Sequence, residues 1–238
     1  MELKNKKIII IGGSSGIGLE SAKLAAVQGA EVIIAGRSNE KLKKAKDDIN
    51  AEITTYSLDF SKENEVKEFF DEIGEFDSLV VTAGIATYGN FTDTSTAEDR
   101  KLFDGKFWGQ YHSAKYGAKN IAKDGAIILF SGVVAFKAME GASALGAVNA
   151  AISSLGRTLA LELAPVRVNV ISPGVVDTPS RYDMTEEERK EFYDSVSGNL
   201  PLNRVGQPKD VAESVIYLLR NNFSTGEILH VEGGHRLV

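Results

Sequence analysis

Short apolar runs alternate along the chain with longer stretches in which apolar residues recur at helical spacing. Four consecutive isoleucines at 8–11 predict a strand buried on both faces. They run directly into Gly12-Gly13-Ser14-Ser15-Gly16-Ile17-Gly18, after which Leu19, Ala22, Leu24, Ala25 and Val27 mark the packing side of a helix that Gly29 ends. The same order repeats with a strand at 32–34, a charged helix over about 40–50, a strand at 53–58, a helix over 63–73 and a strand at 79–81. A long helix around 100–122, a strand at 126–130, an alanine-rich helix near 144–163 and strands at 167–171 and 227–231 complete the pattern. Repeated β then α predicts an α/β fold with a doubly wound parallel sheet of about seven strands. No composition shift marks a linker, so residues 1–238 read as one domain. Residues 179–202 stand apart as polar, charged and rich in helix formers, and are expected to form a mobile helical flap.

Composition narrows the classes of function. Net charge is −6, from 27 basic and 33 acidic residues, so the chain has no global attraction to nucleic acid or to anionic membranes. There is no cysteine, which excludes disulfides, zinc-thiolate centres and a cysteine nucleophile and fits a reducing cytoplasm. The isoleucine run ends at Gly12, too short for a signal or membrane segment. No metal site is expected.

The spacing Gly12-x-x-x-Gly16-x-Gly18, after a strand and opening a helix, is the setting in which glycines let the backbone approach a pyrophosphate beside free helix N–H groups. That makes the expected architecture a Rossmann-type three-layer α/β/α sandwich and the domain dinucleotide-binding. The loop resembles the glycine motif of the classical short-chain dehydrogenases/reductases. The resemblance extends over nearly the whole chain, through Leu58-Asp59-Phe60, Ala83-Gly84, the run Leu159-Ala160-Leu161-Glu162-Leu163-Ala164-Pro165, Val168-Asn169, Ser172-Pro173-Gly174 with Thr178, and the glycines between Gly226 and Gly234.

The resemblance implies that Gly12, Ser14, Ser15, Gly16, Ile17 and Gly18 hold the pyrophosphate region and that Asp59, beside Phe60, meets the adenine. It also implies that Ala83 and Gly84 give the adenosine room, and that Pro173, Gly174, Val176 and Thr178 line the nicotinamide. Read by residue type alone, the alternatives are that Asp59 caps the helix beginning near Glu63 and that Thr178 is a turn residue. After the second strand, where an acidic residue would bind the ribose hydroxyls of NAD, stand Arg37 and Ser38. Arg37 suits a 2′-phosphate through charge-assisted contacts, which favours NADP(H) over NAD(H); its alternative is a solvated surface arginine.

The catalytic positions break the pattern. The family carries a Tyr proton donor, a Lys four residues later, an upstream Ser and an Asn. In the register set by Asn149-Ala150-Ala151-Ile152 these positions hold Leu145, Asn149, Gly132 and Lys106, with Ser131 beside Gly132. No tyrosine lies between Tyr116 and Tyr182. Tyr111-His112-Ser113-Ala114-Lys115 spells Tyr-x-x-x-Lys but precedes the Ser strand, so these side chains, His112 included, are expected to serve packing or solvation. Lys106 is the candidate to polarise or protonate a carbonyl, against the alternative of a lysine neutralising a neighbouring carboxylate or lying in solvent. Ser131 either hydrogen-bonds substrate or caps its strand, and Tyr182 either reaches inward from the flap or stays on the surface. The expectation is a cytoplasmic NADP-dependent oxidoreductase of a small carbonyl or alcohol, assembled as a homodimer or homotetramer. Its alternative is a catalytically silent NADP(H)-binding sensor.

Overall fold

The computed structural model describes residues 2–238. Seven parallel strands form one sheet in the order β3-β2-β1-β4-β5-β6-β7. They are β1 (Lys7–Ile11), β2 (Glu31–Gly36), β3 (Ile53–Ser57), β4 (Phe76–Val81), β5 (Ile121–Phe130), β6 (Arg167–Pro173) and β7 (Ile228–Val231). The isoleucine run divides by the two-residue period of a strand: Ile8 and Ile10 enter one apolar layer, Ile9 and Ile11 the other.

The first layer is covered by α1 (Gly16–Val27), α2 (Asn39–Asp48) and α8 (Pro208–Arg220). The second is covered by α3 (Glu63–Ile73), α4 (Thr96–Leu102), α5 (Gly109–Gly117) and α6 (Ser143–Glu162). Helix α6 is apolar and long enough to cross a membrane by composition alone, yet it buries Leu145, Val148, Ile152 and Ala160 against the sheet. Gly156 lets it approach closely, since a Cβ there would collide with Val170 of β6.

Several expectations need correction. The long helix expected at 100–122 runs from Thr96 to Gly117 as α4, a π-helical segment at Phe103–Trp108, and α5; Ala122 already belongs to β5. Strands β4 and β5 begin three and five residues before their most apolar stretches, at Phe76 and Ile121. Val27 is not a packing residue: it is 86% exposed, because α1 turns Ala22 and Ala25 to the sheet. Helix α8 was not foreseen, although Pro208 at its first position and Asp210 in its first turn, whose carboxylate accepts from Gln207 N, are start signals. The flap is helical as expected, with a 3₁₀ turn at Pro179–Arg181 and α7 (Glu186–Asn199), and α7 has no fully buried residue.

Candidate functional site

Strands β1 and β4 are neighbours in the sheet although α1 leaves β1 on one side and the chain reaches β4 from the other. That reversal opens a crevice at their C-terminal ends, the place where α/β sheets bind ligands. A cleft of about 570 Å³ lies there. It is lined by the loop Gly12 to Gly18, by Arg37 and Ser38 after β2, by Asp59 and Phe60 after β3, by Ala83 and Gly84 after β4, and by Thr178 to Ser180 of the flap.

The glycines are used in different ways. Gly12 has φ +91° and no room for a side chain: a Cβ would lie 2.6 Å from both Ala83 N and Thr82 Oγ1. Gly18 is pressed against the Gly12 carbonyl, which seats α1 directly behind the loop. Ser15 is the N-cap residue of α1 but its side chain makes no capping bond, and the first turn contains no acidic residue. The N-terminal N–H groups and their partial positive charge therefore face the cleft without a protein anion to neutralise them. Ser14 lies over Gly36, and Ile17 packs partly into the core beneath.

At the far end, exposed Arg37 and Lys41 line the cleft with Ser38, whose Oγ accepts a hydrogen bond from Lys41 N as the cap of α2. The Ser38 hydroxyl hydrogen stays available to a ligand. Asp59 is not the cap of α3, which is Lys62. Its Oδ1 instead accepts from Ser61 N and Ser61 Oγ in a tight turn, and its own N–H donates to Glu65. Burial pushes the Asp59 carboxyl up, but the Ser61 hydrogen bonds and the charges of Lys62 and Arg37 outweigh it and hold the group below its ordinary value.

Of the residues expected around a nicotinamide, Thr178 lines the cleft and Pro173, Gly174 and Val176 do not. Strand β6 continues to Pro173, which pairs with Val231, and Gly174 backs onto the Glu232 backbone. Val176 is buried and bridges Gly206.

Lys106 lies in the π-helical segment, its stem crossing Gly84 with Cγ 3.2 Å from where a Cβ would sit. The residue is only partly buried by surface, but its ammonium end is enclosed, donating to the Ser131 carbonyl at 3.4 Å. Desolvation lowers its pKa to about 8, and among the described residues no carboxylate pairs with it. The alternative of a charge-neutralising surface lysine is therefore corrected. Ser131 is turned away from the cleft: its Oγ donates to the Asn149 carbonyl at 2.8 Å and accepts from Ser153 Oγ at 2.9 Å. The candidate role of Ser131 as a donor to substrate thus meets a hydroxyl already committed to α6. Leu145 is 3% exposed in the second apolar layer, and Asn149 is buried with Oδ1 unpartnered.

Tyr111 belongs to an aromatic group with Phe107, Trp108 and His112, while Lys115 and Tyr116 bond Glu63, all away from the cleft. Tyr182 is exposed beneath Arg189. Sequence reasoning did not name Lys41, Lys101 or Asp104, which also line the cleft. Lys41 was within reach of a one-turn count from Ser38.

Comparison with known proteins decides the family. The family described as enoyl-(acyl carrier protein) reductase matches residues 12–236. The chain belongs to the classical short-chain dehydrogenases/reductases. It is 33% identical over 240 residues to carbonyl reductase family member 4 of Xenopus tropicalis, covering 98% of each chain. To the 3-oxoacyl-[acyl-carrier-protein] reductase of Homo sapiens it is 31% identical, covering 98% of this chain and 99% of that one. A solved small-chain dehydrogenase in complex with NADPH superposes with TM-score 0.85 at 33% identity, over 99% of this chain and 100% of that one. The chain is thus a short-chain oxidoreductase by family.

Proposed function

We propose that this protein is an NADP(H)-dependent oxidoreductase of a small carbonyl or alcohol in which Lys106 takes the place of the usual proton donor. The cleft fits the cofactor: Gly12 and Gly18 leave room only for backbone beside the unneutralised N-terminus of α1, and Arg37, Ser38 and Lys41 gather two cations and a hydroxyl where a 2′-phosphate would be held. The NADPH-bound neighbour supports the same choice. When bound, NADP(H) supplies or accepts the hydride.

What carries the proposal is the enclosed Lys106 ammonium with no carboxylate partner: Lys106 is not itself in the cleft wall, but its stem lies directly behind Gly84, which is. Against a carbonyl oxygen it polarises the C=O bond, and it transfers its proton to that oxygen as the carbonyl carbon is reduced; solvent then reprotonates the amine. In the oxidation direction the neutral amine takes the proton. Because the charged form is the acid, reduction proceeds below about pH 8 and falls as pH rises through that value, while oxidation gains over the same window.

The test is NADPH-dependent reduction of a carbonyl panel by the native chain and by Lys106→Met. The variant is expected to lose about 10²-fold or more in kcat and the fall above pH 8, with NADPH affinity unchanged. Equal turnover and an equal pH profile would remove Lys106 from the mechanism. A second reading, a silent NADP(H) sensor, is favoured by Leu145 and Ser131, one buried in the core and the other bonded to α6. It calls for NADPH binding with no turnover on any carbonyl. We propose further that the chain works in the cytoplasm as a homodimer or homotetramer. Partly exposed Trp108, clustered with Phe107 and Tyr111, supports an interface on that helix.

A further inference from the structure

The flap carries two arginines whose guanidinium groups have no anion. Arg181 ends the 3₁₀ turn directly after Ser180, a residue of the cleft wall, and its Cζ sits 4.6 Å from the centre of the Phe192 ring. Arg189, in the first half of α7, sits 4.7 Å over the Tyr182 ring. Arg189, Phe192 and Tyr193 share one face of α7 by their three- and four-residue spacing, and the 181–182 turn comes against that face. Next to Phe192 and one turn from Arg189 lies Tyr193, whose hydroxyl donates to Asp177 at 3.0 Å, one residue before Thr178 in the cleft wall. The two cations therefore share the neighbourhood of Tyr193, which the Asp177 bond ties to the chain next to Thr178 and Ser180 of the cleft wall.

Their isolation is unexpected, because the surrounding segment is rich in acid. Asp183, Glu186, Glu187, Glu188, Glu191 and Asp194 all lie within a few residues. Glu188 is committed to the Thr185 cap, Asp194 to Lys190 and Asp177 to Tyr193. Among the described residues, no carboxylate pairs with either guanidinium and neither donates a hydrogen bond through it. Each guanidinium group lies against an aromatic ring, an attraction that needs none of its N–H groups. A fixed guanidinium edge matches the two oxygens of a carboxylate or phosphate.

We propose that Arg181 and Arg189 form an oxyanion-binding pair on the flap, which takes the carboxylate or phosphate group of the molecule seated in the cleft. This deepens the oxidoreductase reading by making the substrate an anionic carbonyl compound, and it rests on that reading only for the carbonyl. The same chemistry is offered by the phosphates of a dinucleotide, so the experiment separates the two sources. Acetoacetate, its neutral methyl ester and inorganic phosphate are titrated by calorimetry into the native chain, R181Q, R189Q and R181K, with and without saturating NADPH. NADPH itself is titrated into the same four proteins. Both arginines are partly exposed, and circular dichroism checks that each variant is folded.

A substrate anion predicts that acetoacetate binds about tenfold or more tighter than its ester, that the preference vanishes in R181Q and R189Q, and that R181K keeps part of it. A cofactor anion predicts that R181Q and R189Q weaken NADPH about tenfold or more while acid and ester bind alike. Either result supports the pair. It is overturned if the acid and phosphate show no arginine-dependent binding and NADPH affinity is the same in all four proteins. Failure of the cofactor reading is separate: the native chain would then not bind NADPH, while the arginine-dependent preference for acetoacetate over its ester would persist.

Discussion

Gly132 and Asn149, which the sequence register aligns with the Ser and Lys positions of the family motif, are coupled by packing. Gly132 has an extended backbone that any residue adopts, so its lack of a side chain is not a matter of conformation. Space is the constraint: a Cβ at 132 would lie 2.7 Å from Asn149 Nδ2 and 3.4 Å from its Cγ. Asn149 is 1% exposed and has little freedom to withdraw. Gly132→Ser is therefore expected to lower stability by about 1–3 kcal/mol, the usual range for overpacking, in urea or thermal unfolding. Truncating the obstacle in the same chain, as Gly132→Ser with Asn149→Ala, is expected to destabilise by less than the two single changes summed. Additive losses would show that the two positions are independent.

At the scale of elements, what could be read from the chain depended on whether the fold leaves a mark on periodicity. The run at 8–11, the helix over 63–73 and the helix near 144–163 lie where the pattern put them, within a residue, because burial on one or both faces shows in apolar spacing. The π-helical segment holding Lys106 leaves no such mark, since π and α turns use the same residues and differ only in how the backbone bonds. Early parts of β4 and β5 were missed for a related reason: Asp77, Lys123 and Asp124 interrupt the apolar run while the backbone already pairs. Helix α7 is the opposite case, legible from composition and weakly anchored. With no residue fully buried, it depends on its cap, where Thr185 Oγ1 accepts from Glu188 N and the Glu188 carboxylate bonds Thr185 in return. Thr185→Ala is expected to cost that helix about 0.5–2 kcal/mol. Because α7 can open without the sheet, amide exchange should quicken across 186–199 while the global melting temperature stays nearly unchanged. A drop in the global midpoint of the same size would mean that the flap unfolds together with the core.

The cofactor end of the cleft was readable because backbone geometry forces glycine at Gly12 and leaves a chemical signature at Arg37, whereas the catalytic end depends on which way side chains turn. Ser131 is the example: nothing in its neighbours shows that its hydroxyl faces α6. The molecule as a whole supplies a check that does not depend on turnover. It carries net charge −6, yet Arg37, Lys41 and Lys101 line one cleft against Asp59 and Asp104, so the cleft is locally cationic and any attraction of a polyanion is local to it. A ligand that binds only the folded chain stabilises it by about 2.7 kcal/mol at a hundred times its Kd. At about 2–4 °C per kcal/mol for a chain of this size, NADPH at that excess should raise the melting temperature by about 5–11 °C. NADH lacks the 2′-phosphate, so at equal concentration it should give a clearly smaller rise. Arg37→Ala should shrink the NADPH rise toward the NADH value and leave the NADH rise alone, and added salt should act in the same direction because exposed Arg37 is screened. Equal rises for the two cofactors in the native chain would place Arg37 in solvent and remove the preference for NADP(H).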